Sequence, residues 1–390
     1  MPIAQRLLPF GTTIFADITS RAMKANAINL GQGMPDFDGP IQIKDAASRA
    51  MNEHLNQYAP MPGVPELRRA IAARHTEATE IAVDPDAEIT VTAGCTGALA
   101  ACHLGMFNPG DEIITFEPYY DAYPADAALA GAKMIAVALR PGPDGFAFDP
   151  EDLRSAITPR TRGFVFNTPH NPTGKVFTEG ELSLIASLCA EHDLVVIADE
   201  VYDRLVFDVA QHVSIASLPG MAERTVTLGS FGKTFSMTGW KIGWAIAPPH
   251  LTAGIRAAHQ FINFAVATPL QYAAAETLAN SDGYLADFAS SFQARRDTMS
   301  RTLLDLGFLF TPPEGGYFIL ADHRPVSARL GLADDIELCH WLIEHAGVAT
   351  IPPSVFYANR EQGRSLLRFA FCKSESTLEE ADRRLRAALA

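Results

Sequence analysis

Short apolar, β-branched runs alternate with longer Ala- and Leu-rich segments over most of the first 250 residues. This alternation is typical of α/β proteins, in which strands and helices follow each other along the chain. Because the strand runs are apolar almost throughout, we expect a mostly parallel sheet sandwiched by helices. The predicted strands are 88–92, 112–116, 134–139, 163–167, 194–198, 225–228 and 242–247. A glycine turn at 93–97 leads into one predicted helix, and 179–192 is predicted as a crossover helix.

The pattern changes after about residue 250. Helical segments are predicted over 251–304, followed by a smaller mixed region. That region has predicted strands at 317–320 and 366–371 and predicted helices at 335–345 and 376–389. A chain of 390 residues commonly holds two or three domains, so we expect a smaller α+β domain beside the large α/β domain.

Charge argues against a nucleic-acid partner. The chain has 31 Lys and Arg against 45 Asp and Glu, a formal net charge of −14. Nucleic acids are held mainly by Lys and Arg that neutralise phosphates, and an acidic surface repels them. We therefore expect no nucleic-acid partner.

We expect neither a membrane span nor a metal site. No apolar run approaches the roughly 20 residues that a spanning helix needs, and the first residues lack the pattern of a secretory signal. Five cysteines without CxxC spacing indicate buried thiols in a reducing compartment. A cytoplasmic protein is the resulting expectation.

Lys233 lies in a segment, 230–241, that is rich in small and hydroxyl residues and follows a predicted strand. The segment is not a P-loop, because Thr227 stands where GxxxxGK[ST] requires glycine. A lysine beyond a strand end is a candidate amine nucleophile once burial lowers its pKa. The alternative is an ordinary surface lysine in a loop.

Two further polar clusters follow predicted strands directly. The first, 167–174, reads Asn-Thr-Pro-His-Asn-Pro-Thr-Gly, and the second contains Asp199 and Tyr202. Ligands of open α/β sheets bind at such strand ends. Asp199 suits a cationic ring nitrogen, but it could equally cap the following helix. His170 is interpreted as an ordinary turn histidine.

The three clusters, in this order, resemble the class I/II aminotransferases, which are fold-type I enzymes dependent on pyridoxal 5′-phosphate (PLP). Segments 31–38, 57–68, 117–120 and 367–370 also fall in the family order. The blocks at 31–40 and 167–172 are most similar to the branch of methionine and kynurenine/glutamine aminotransferases. The resemblance implies a PLP-binding large domain at 46–285 and a small C-terminal domain at 286–390, with residues 1–45 forming an N-terminal arm and part of the small domain.

The resemblance also implies roles around the cofactor ring. Lys233 matches the lysine that forms the Schiff base and later moves the substrate proton. Asp199 matches the acid that keeps the ring nitrogen protonated. Asn171 and Tyr202 match the partners of the phenolic oxygen, and Tyr120 matches the side chain stacked on the ring.

For the phosphate, the resemblance implies the backbone amides of Cys95 and Thr96 at a helix N-terminus, together with Ser230 and Lys241. Many relatives have arginine at the position of Lys241. Tyr58 matches a tyrosine that reaches the phosphate of the neighbouring subunit, which implies a homodimer with shared active sites.

Arg368 matches the arginine that binds the substrate α-carboxylate, with Asn171 and the Gly33 backbone nearby. Without the resemblance it could be a structural ion-pair residue. Phe15, Val266 and Ala267 match pocket-lining positions, although packing in a hydrophobic core would explain them equally well. Apolar residues there favour methionine-like or aromatic amino acids or kynurenine as donors for a 2-oxo acid, and the resemblance adds glutamine.

Two other functions stay open. A PLP-dependent carbon–sulfur β-lyase would use the same fold, since fold alone does not fix the reaction. A ligand-sensing DNA-binding regulator is disfavoured by the acidic charge and by the absence of a basic extension before Gly31.

Overall fold

The computed structural model describes residues 3–11 and 14–389. Within these residues the chain forms fourteen α-helices and thirteen strands. The strands are β1 (Ile28–Asn29), β2 (Ile89–Ala93), β3 (Glu112–Glu117), β4 (Lys133–Ala138), β5 (Arg140–Gly142), β6 (Gly145–Ala147), β7 (Thr161–Asn167), β8 (Val195–Asp199), β9 (Thr225–Ser230), β10 (Ile242–Ile246), β11 (Phe318–Asp322), β12 (Val348–Ala349) and β13 (Leu366–Ala370). The helices are α1 (Ile14–Ala25), α2 (Ile41–Asn52), α3 (Pro65–Thr79), α4 (Gly94–Met106), α5 (Ala122–Ala130), α6 (Pro150–Ala156), α7 (Glu179–Glu191), α8 (Phe231–Thr234), α9 (Pro249–Ile262), α10 (Thr268–Ala279), α11 (Asp282–Asp305), α12 (Arg324–Leu330), α13 (Asp335–Trp341) and α14 (Glu375–Leu389).

A seven-stranded sheet in the order β2-β10-β9-β8-β7-β3-β4 forms the centre of the fold. The strands from β9 to β4 pair in parallel, and β10 is antiparallel to both of its neighbours. In β8, Val196, Ile197 and Ala198 are all fully buried, although successive side chains point to opposite faces. Both faces are therefore covered, and the predicted α/β fold with a mostly parallel sheet is confirmed.

Helices in the second half of the chain are more divided than the sequence pattern suggests. The helical stretch predicted over 251–304 consists of α9, α10 and α11. Phe264, between α9 and α10, has a φ of 64°, which a right-handed helix does not allow. Pro269 then lies in the first turn of α10, where its missing N–H costs nothing. The helix predicted at 335–345 ends at Trp341 and continues as a π-helical turn, Leu342–Ala346.

A second hydrophobic core lies beyond the large sheet. β11 pairs antiparallel with β13, and β1 pairs in parallel with β12. Ile18 and Leu30 from the N-terminal part are fully buried in this core together with Ile319 and Leu385. The N-terminal segment thus packs with the C-terminal region. The domain limits near residues 45 and 285 stay a prediction.

Two glycines let α4 and α9 pack with their backbones in contact. A Cβ atom on Gly105 would lie 2.3 Å from the carbonyl oxygen of Gly254, and one on Gly254 would lie 2.5 Å from that of Gly105. Both distances are far below van der Waals contact, so neither position accepts a side chain unless the helices move apart. This contact matters for function because α4 begins at the end of β2.

We expect Gly105→Ala to lower the free energy of unfolding by about 1–3 kcal/mol, the usual cost of overpacking a close contact. Gly180→Ala is the matched control, since Gly180 is also helical and has no atom near its would-be Cβ. That change should be neutral, or stabilising by up to about 1 kcal/mol. Thermal unfolding at one scan rate compares the two; equal midpoints would contradict the packing argument.

Candidate active site

A cavity of about 430 Å³ lies at the carboxyl ends of the central strands, where ligands of open α/β sheets bind. Twelve of the positions that the sequence predicts for cofactor or substrate line it, whereas Tyr58, Val266 and Ala267 do not. The twelve are Phe15, Gly33, Cys95, Thr96, Tyr120, Asn171, Asp199, Tyr202, Ser230, Lys233, Lys241 and Arg368.

Strand register brings these residues together. Asn167, the last residue of β7, pairs with Asp199, the last residue of β8. Ser230 ends β9, and α8 follows at once with Lys233 on its third residue. The amide Nδ2 of Asn167 donates to the carbonyl oxygen of Asp199 at 2.6 Å, and its Oδ1 accepts from the backbone N–H of Asn171 at 2.6 Å. Asn167 therefore fixes the turn that carries Asn171 beside the strand that carries Asp199.

Lys233 points into the cavity and has no carboxylate partner among the described residues. Its Nζ donates to the hydroxyl of Tyr317 at 2.8 Å and lies 5.6 Å from the ring centre of Tyr202. Burial lowers the pKa of Lys233, because the charged ammonium is removed from water. A lower pKa leaves more of the amine neutral, which is the form that acts as nucleophile or base.

Asp199 is buried, with neutral donors on both carboxylate oxygens. The hydroxyl of Tyr123 donates to Oδ2 at 2.7 Å, and the Cys95 thiol lies 3.6 Å from Oδ1. No Lys, Arg or His nitrogen of residues 3–11 and 14–389 forms an ion pair with it. Burial raises the pKa of Asp199, and the bond from Tyr123 offsets part of that shift. A cation placed in the cavity would stabilise this carboxylate.

The N-terminus of α4 offers an anion site. Its N-cap residue Ala93 provides no side-chain hydrogen bond, so the first amides of the helix are not capped by it. Lys241 lies beside this terminus, with its Nζ 3.5 Å from the Thr96 hydroxyl. A Cβ on Gly94 would lie 3.2 Å from that Nζ, so glycine leaves room for the lysine. Helix amides and a lysine together suit a phosphate.

Arg368 is a buried cation without an ion partner in the described part of the chain. Its Nη1 donates to Asn171 Oδ1 at 3.3 Å and its Nη2 to the Gly31 carbonyl at 2.7 Å. Its Nε is buried with no hydrogen-bond partner. The guanidinium lies 4.3 Å from the ring centre of Phe318 and 5.3 Å from that of Phe15. Burial lowers its pKa to about 10, and an incoming carboxylate would supply the missing charge.

Tyr58, Val266 and Ala267 do not line the cavity of the single chain. The ring of Tyr58 is 87% exposed and packs edge-on against Phe264. Val266 and Ala267 lie directly before α10, which begins at Thr268. Val266 is partly buried against a hydrophobic core, as the alternative interpretation of that position expects.

His170 has a structural environment. It is buried, and its Nδ1 lies 2.8 Å from the Thr173 hydroxyl within the same turn. Burial lowers the pKa of His170 to about 3, so its ring stays neutral near pH 7. The arrangement agrees with the interpretation of a turn histidine.

Sequence reasoning missed two tyrosines of the site. Tyr123 was not singled out, although it lies three residues after Tyr120 and its ring contacts that of Tyr120 edge-on. Tyr317 was predicted only as the first residue of a strand and not as a residue of the site. Its hydroxyl donates to the Gly33 carbonyl at 2.9 Å while accepting from Lys233, and a Cβ on Gly33 would lie 2.5 Å from its ring.

The sequence predicts neither a membrane-spanning helix nor a metal site. Among the helices of residues 3–11 and 14–389, none is both long and apolar enough to span a membrane. The same residues contain no group of three or more His, Cys, Asp or Glu side chains that could hold a metal ion.

Comparison with known proteins gives matches over the whole chain. Residues 25–385 match the family described as aminotransferase class I and II. A probable N-succinyldiaminopimelate aminotransferase of Mycobacterium tuberculosis is 46% identical over 388 residues, 97% of each chain. The methionine aminotransferase of Escherichia coli is 41% identical over 98% of each chain. Human kynurenine–oxoglutarate transaminase 1 is 38% identical over 98% of this chain and 97% of its own.

Solved structures agree with these matches. The N-succinyldiaminopimelate aminotransferase of Mycobacterium tuberculosis superposes with a TM-score of 0.96 over 100% of both chains, at 46% identity. An Escherichia coli protein with a methionine aminotransferase function superposes with a TM-score of 0.94 over 99% of this chain and 100% of its own, at 39% identity.

Proposed function

The chain belongs to the class I and II aminotransferases, and from this premise we propose which residues hold the cofactor and substrate and which amino acids the enzyme uses. It is a PLP-dependent enzyme that transfers an amino group between an amino acid and a 2-oxo acid. One observation carries the assignment of residues: Lys233, Asp199 and Arg368 face one cavity, and none of them has an ion-pair partner among the described residues.

The chemistry of this cavity fits PLP. The phosphate dianion suits the Cys95 and Thr96 amides at the start of α4, with Ser230 and Lys241 beside them. The buried Asp199 suits a protonated ring nitrogen, which would supply the cation that its environment lacks.

The remaining groups of the cofactor also have partners. We assign Asn171 and Tyr202 to the phenolic oxygen, Tyr120 to the ring face and Lys233 to the aldehyde, because all four line the same cavity. When bound, PLP supplies an electron sink for the electron pair that remains on the substrate Cα after deprotonation.

Lys233 would act as the base in the reaction. Its lowered pKa makes a neutral amine available to take the proton from the substrate Cα. The Tyr317 hydroxyl, 2.8 Å from Nζ, restricts the directions in which that amine can point.

Arg368 would orient the substrate. Its unpartnered Nε and an Nη group can donate two parallel hydrogen bonds to the α-carboxylate. Phe15, Phe318 and Phe356 surround the guanidinium and hold it in place by cation–π contacts. This arrangement brings the substrate Cα toward the side of the cavity where Lys233 lies.

For the substrate side chain we propose a methionine-like or aromatic amino acid, kynurenine or glutamine. Phe15, Met34, Tyr120 and Phe318 line the cavity, and among the described residues Arg368 is the only arginine that does. A second candidate donor is N-succinyldiaminopimelate, because a relative at 46% identity is named for it. A dicarboxylate such as aspartate would need a second arginine for its side-chain carboxylate, and the described lining of the cavity holds none.

We further propose a homodimer with shared sites. Tyr58 is 87% exposed and Phe261 is 90% exposed, and large aromatic side chains in water commonly mark an interface. A second copy on this surface would cover them and bring Tyr58 to the phosphate site of its partner.

Replacing Lys233 tests the cofactor assignment. We expect Lys233→Ala to lose the visible absorbance of covalently held PLP and to lose transamination, since Lys241, the other lysine lining the cavity, is assigned to the phosphate. Lys44→Ala is the control, because Lys44 forms an exposed ion pair with Asp38. It should keep both absorbance and activity. A Lys233→Ala protein that stays yellow and active after dialysis against PLP-free buffer would contradict the assignment.

A donor panel tests the substrate proposal. The spectral change of the PLP form would be followed with single additions of methionine, phenylalanine, kynurenine, glutamine, aspartate and N-succinyldiaminopimelate. For each donor, the rate constant of the half-reaction is divided by the dissociation constant of that donor. We expect this ratio to be largest for an apolar or aromatic donor. Preference for aspartate would reject the proposal, and preference for N-succinyldiaminopimelate would establish the second candidate.

Pyruvate released from a cysteine conjugate without any oxo acid would indicate β-lyase activity.

Mixed dimers test the shared site. Tyr58→Phe should weaken PLP binding about 10-fold or more, the effect of one lost hydrogen bond to a charged group. In a dimer of one Tyr58→Phe and one Lys233→Ala chain, one site has both residues intact if Tyr58 serves the partner. Co-expression with two affinity tags isolates this dimer. We expect one site with parental affinity; its absence would place Tyr58 in the site of its own chain, and a Tyr58→Phe homodimer with parental affinity would place Tyr58 outside any site.

A further inference from the structure

The hydrogen bond from Tyr123 to Asp199 is the shortest contact of the Asp199 carboxylate. The Tyr123 hydroxyl lies 2.7 Å from Oδ2, whereas the thiol of Cys95 is 3.6 Å from Oδ1 and the backbone nitrogen of Val201 is 3.5 Å from Oδ1. The last two contacts are long and weak. The orientation of the carboxylate therefore depends mainly on Tyr123.

Tyr123 can act only as a hydrogen-bond donor in this contact. Its side chain is 2% exposed, and burial together with the nearby Asp199 raises the pKa of its hydroxyl well above the ordinary value. The phenol therefore keeps its proton at neutral pH. An O–H donor next to a carboxylate stabilises the ionised form and disfavours the neutral acid.

The scaffold holds Tyr123 rigidly. It lies in the first turn of α5, and its ring contacts that of Tyr120 edge-on at 5.8 Å. It packs in the core between α4 and the sheet, with Ala98, Leu99 and Val165 in the same cluster. A rigid donor fixes the rotation of the carboxylate that it contacts.

We propose that Tyr123 is a positioning residue, which directs the Asp199 carboxylate at the ring nitrogen of PLP and so keeps that nitrogen protonated. The proposal rests on the role of Asp199 given above and deepens it. Tyr123 does not itself need to touch the reacting atoms. Its effect passes through one hydrogen bond to the acid that does.

The sign of the effect follows from the contact. Without the hydroxyl, the buried carboxylate keeps its desolvation cost and loses its strongest donor, so its ionised form becomes less favourable. A less favourable carboxylate stabilises a protonated ring nitrogen less. The nitrogen then loses its proton at a lower pH, and the cofactor becomes a weaker electron sink.

Nitrogen NMR of the holoenzyme tests this directly. PLP labelled with ¹⁵N in the ring would be bound to the parent, to Tyr123→Phe and to Tyr119→Phe. Tyr119 is the matched control, because it is a nearby tyrosine, directly before Tyr120 in the sequence, that does not line the cavity. We expect the nitrogen to stay protonated from pH 6 to 9 in the parent and in Tyr119→Phe. In Tyr123→Phe it should become deprotonated within that range, and a signal identical to the parent would overturn the proposal.

A cofactor analogue separates this role from a general structural one. With PLP, Tyr123→Phe should lower kcat about 10- to 100-fold, the effect of a lost hydrogen bond to a charged group, while KM changes little. With the analogue that has carbon in place of the ring nitrogen, parent and variant should be equally slow. A loss of the same size with the analogue would show a structural defect and would overturn the proposal.

Asp199→Asn separates failure of this inference from failure of its premise. If the ring nitrogen signal is the same in Asp199→Asn as in the parent, Asp199 is not its partner, and the role given to Asp199 is wrong. If the signal changes in Asp199→Asn and not in Tyr123→Phe, only the inference about Tyr123 fails. Cys95→Ala should cause a smaller change than Tyr123→Phe, because the thiol contact is longer; the reverse order would also overturn the proposal.

Discussion

The site depends on three charged side chains that form no ion pair within the described part of the chain. Asp199, Lys233 and Arg368 line one cavity, and within residues 3–11 and 14–389 the buried Nε of Arg368 has no hydrogen-bond partner. Charges removed from water are costly unless they are paired. A fold can tolerate this only where a ligand brings the missing charges, and PLP with an amino acid carries a pyridinium, a phosphate and a carboxylate. The same three side chains therefore explain why the cavity suits a cofactor and substrate that carry a cationic ring nitrogen, an aldehyde and a carboxylate.

The central sheet positions these charged side chains. Parallel pairing aligns the ends of β7, β8 and β9, so that residues far apart in sequence meet at one edge. Close packing of Gly105 against Gly254 seats α4 so that its first amides reach the same edge. Arg368 enters from β13, which belongs to the other core. The site is thus assembled from both hydrophobic cores, and it depends on their relative position.

The sequence was sufficient for features that follow local rules. Strand ends predicted from apolar runs placed Asn171, Asp199 and Lys233 correctly at one edge of the sheet, and family motifs added Arg368. Tyr123 and Tyr317 escaped because their partners, Asp199 and Lys233, are 76 and 84 residues away. No local pattern reveals such hydrogen bonds. The helix breaks near 263 and 280 were likewise hidden, since Ala-rich sequence surrounds them.

Arg368 has two tasks in this arrangement, and the combination limits how the enzyme can change. One Nη group holds the Gly31 carbonyl at 2.7 Å, so the residue proposed to grip the substrate also fastens the N-terminal segment to β13. Replacing it would loosen the fold as well as the grip. Phe15 lines the same cavity without such a bond. New substrate preferences are therefore more accessible to evolution through Phe15 than through Arg368.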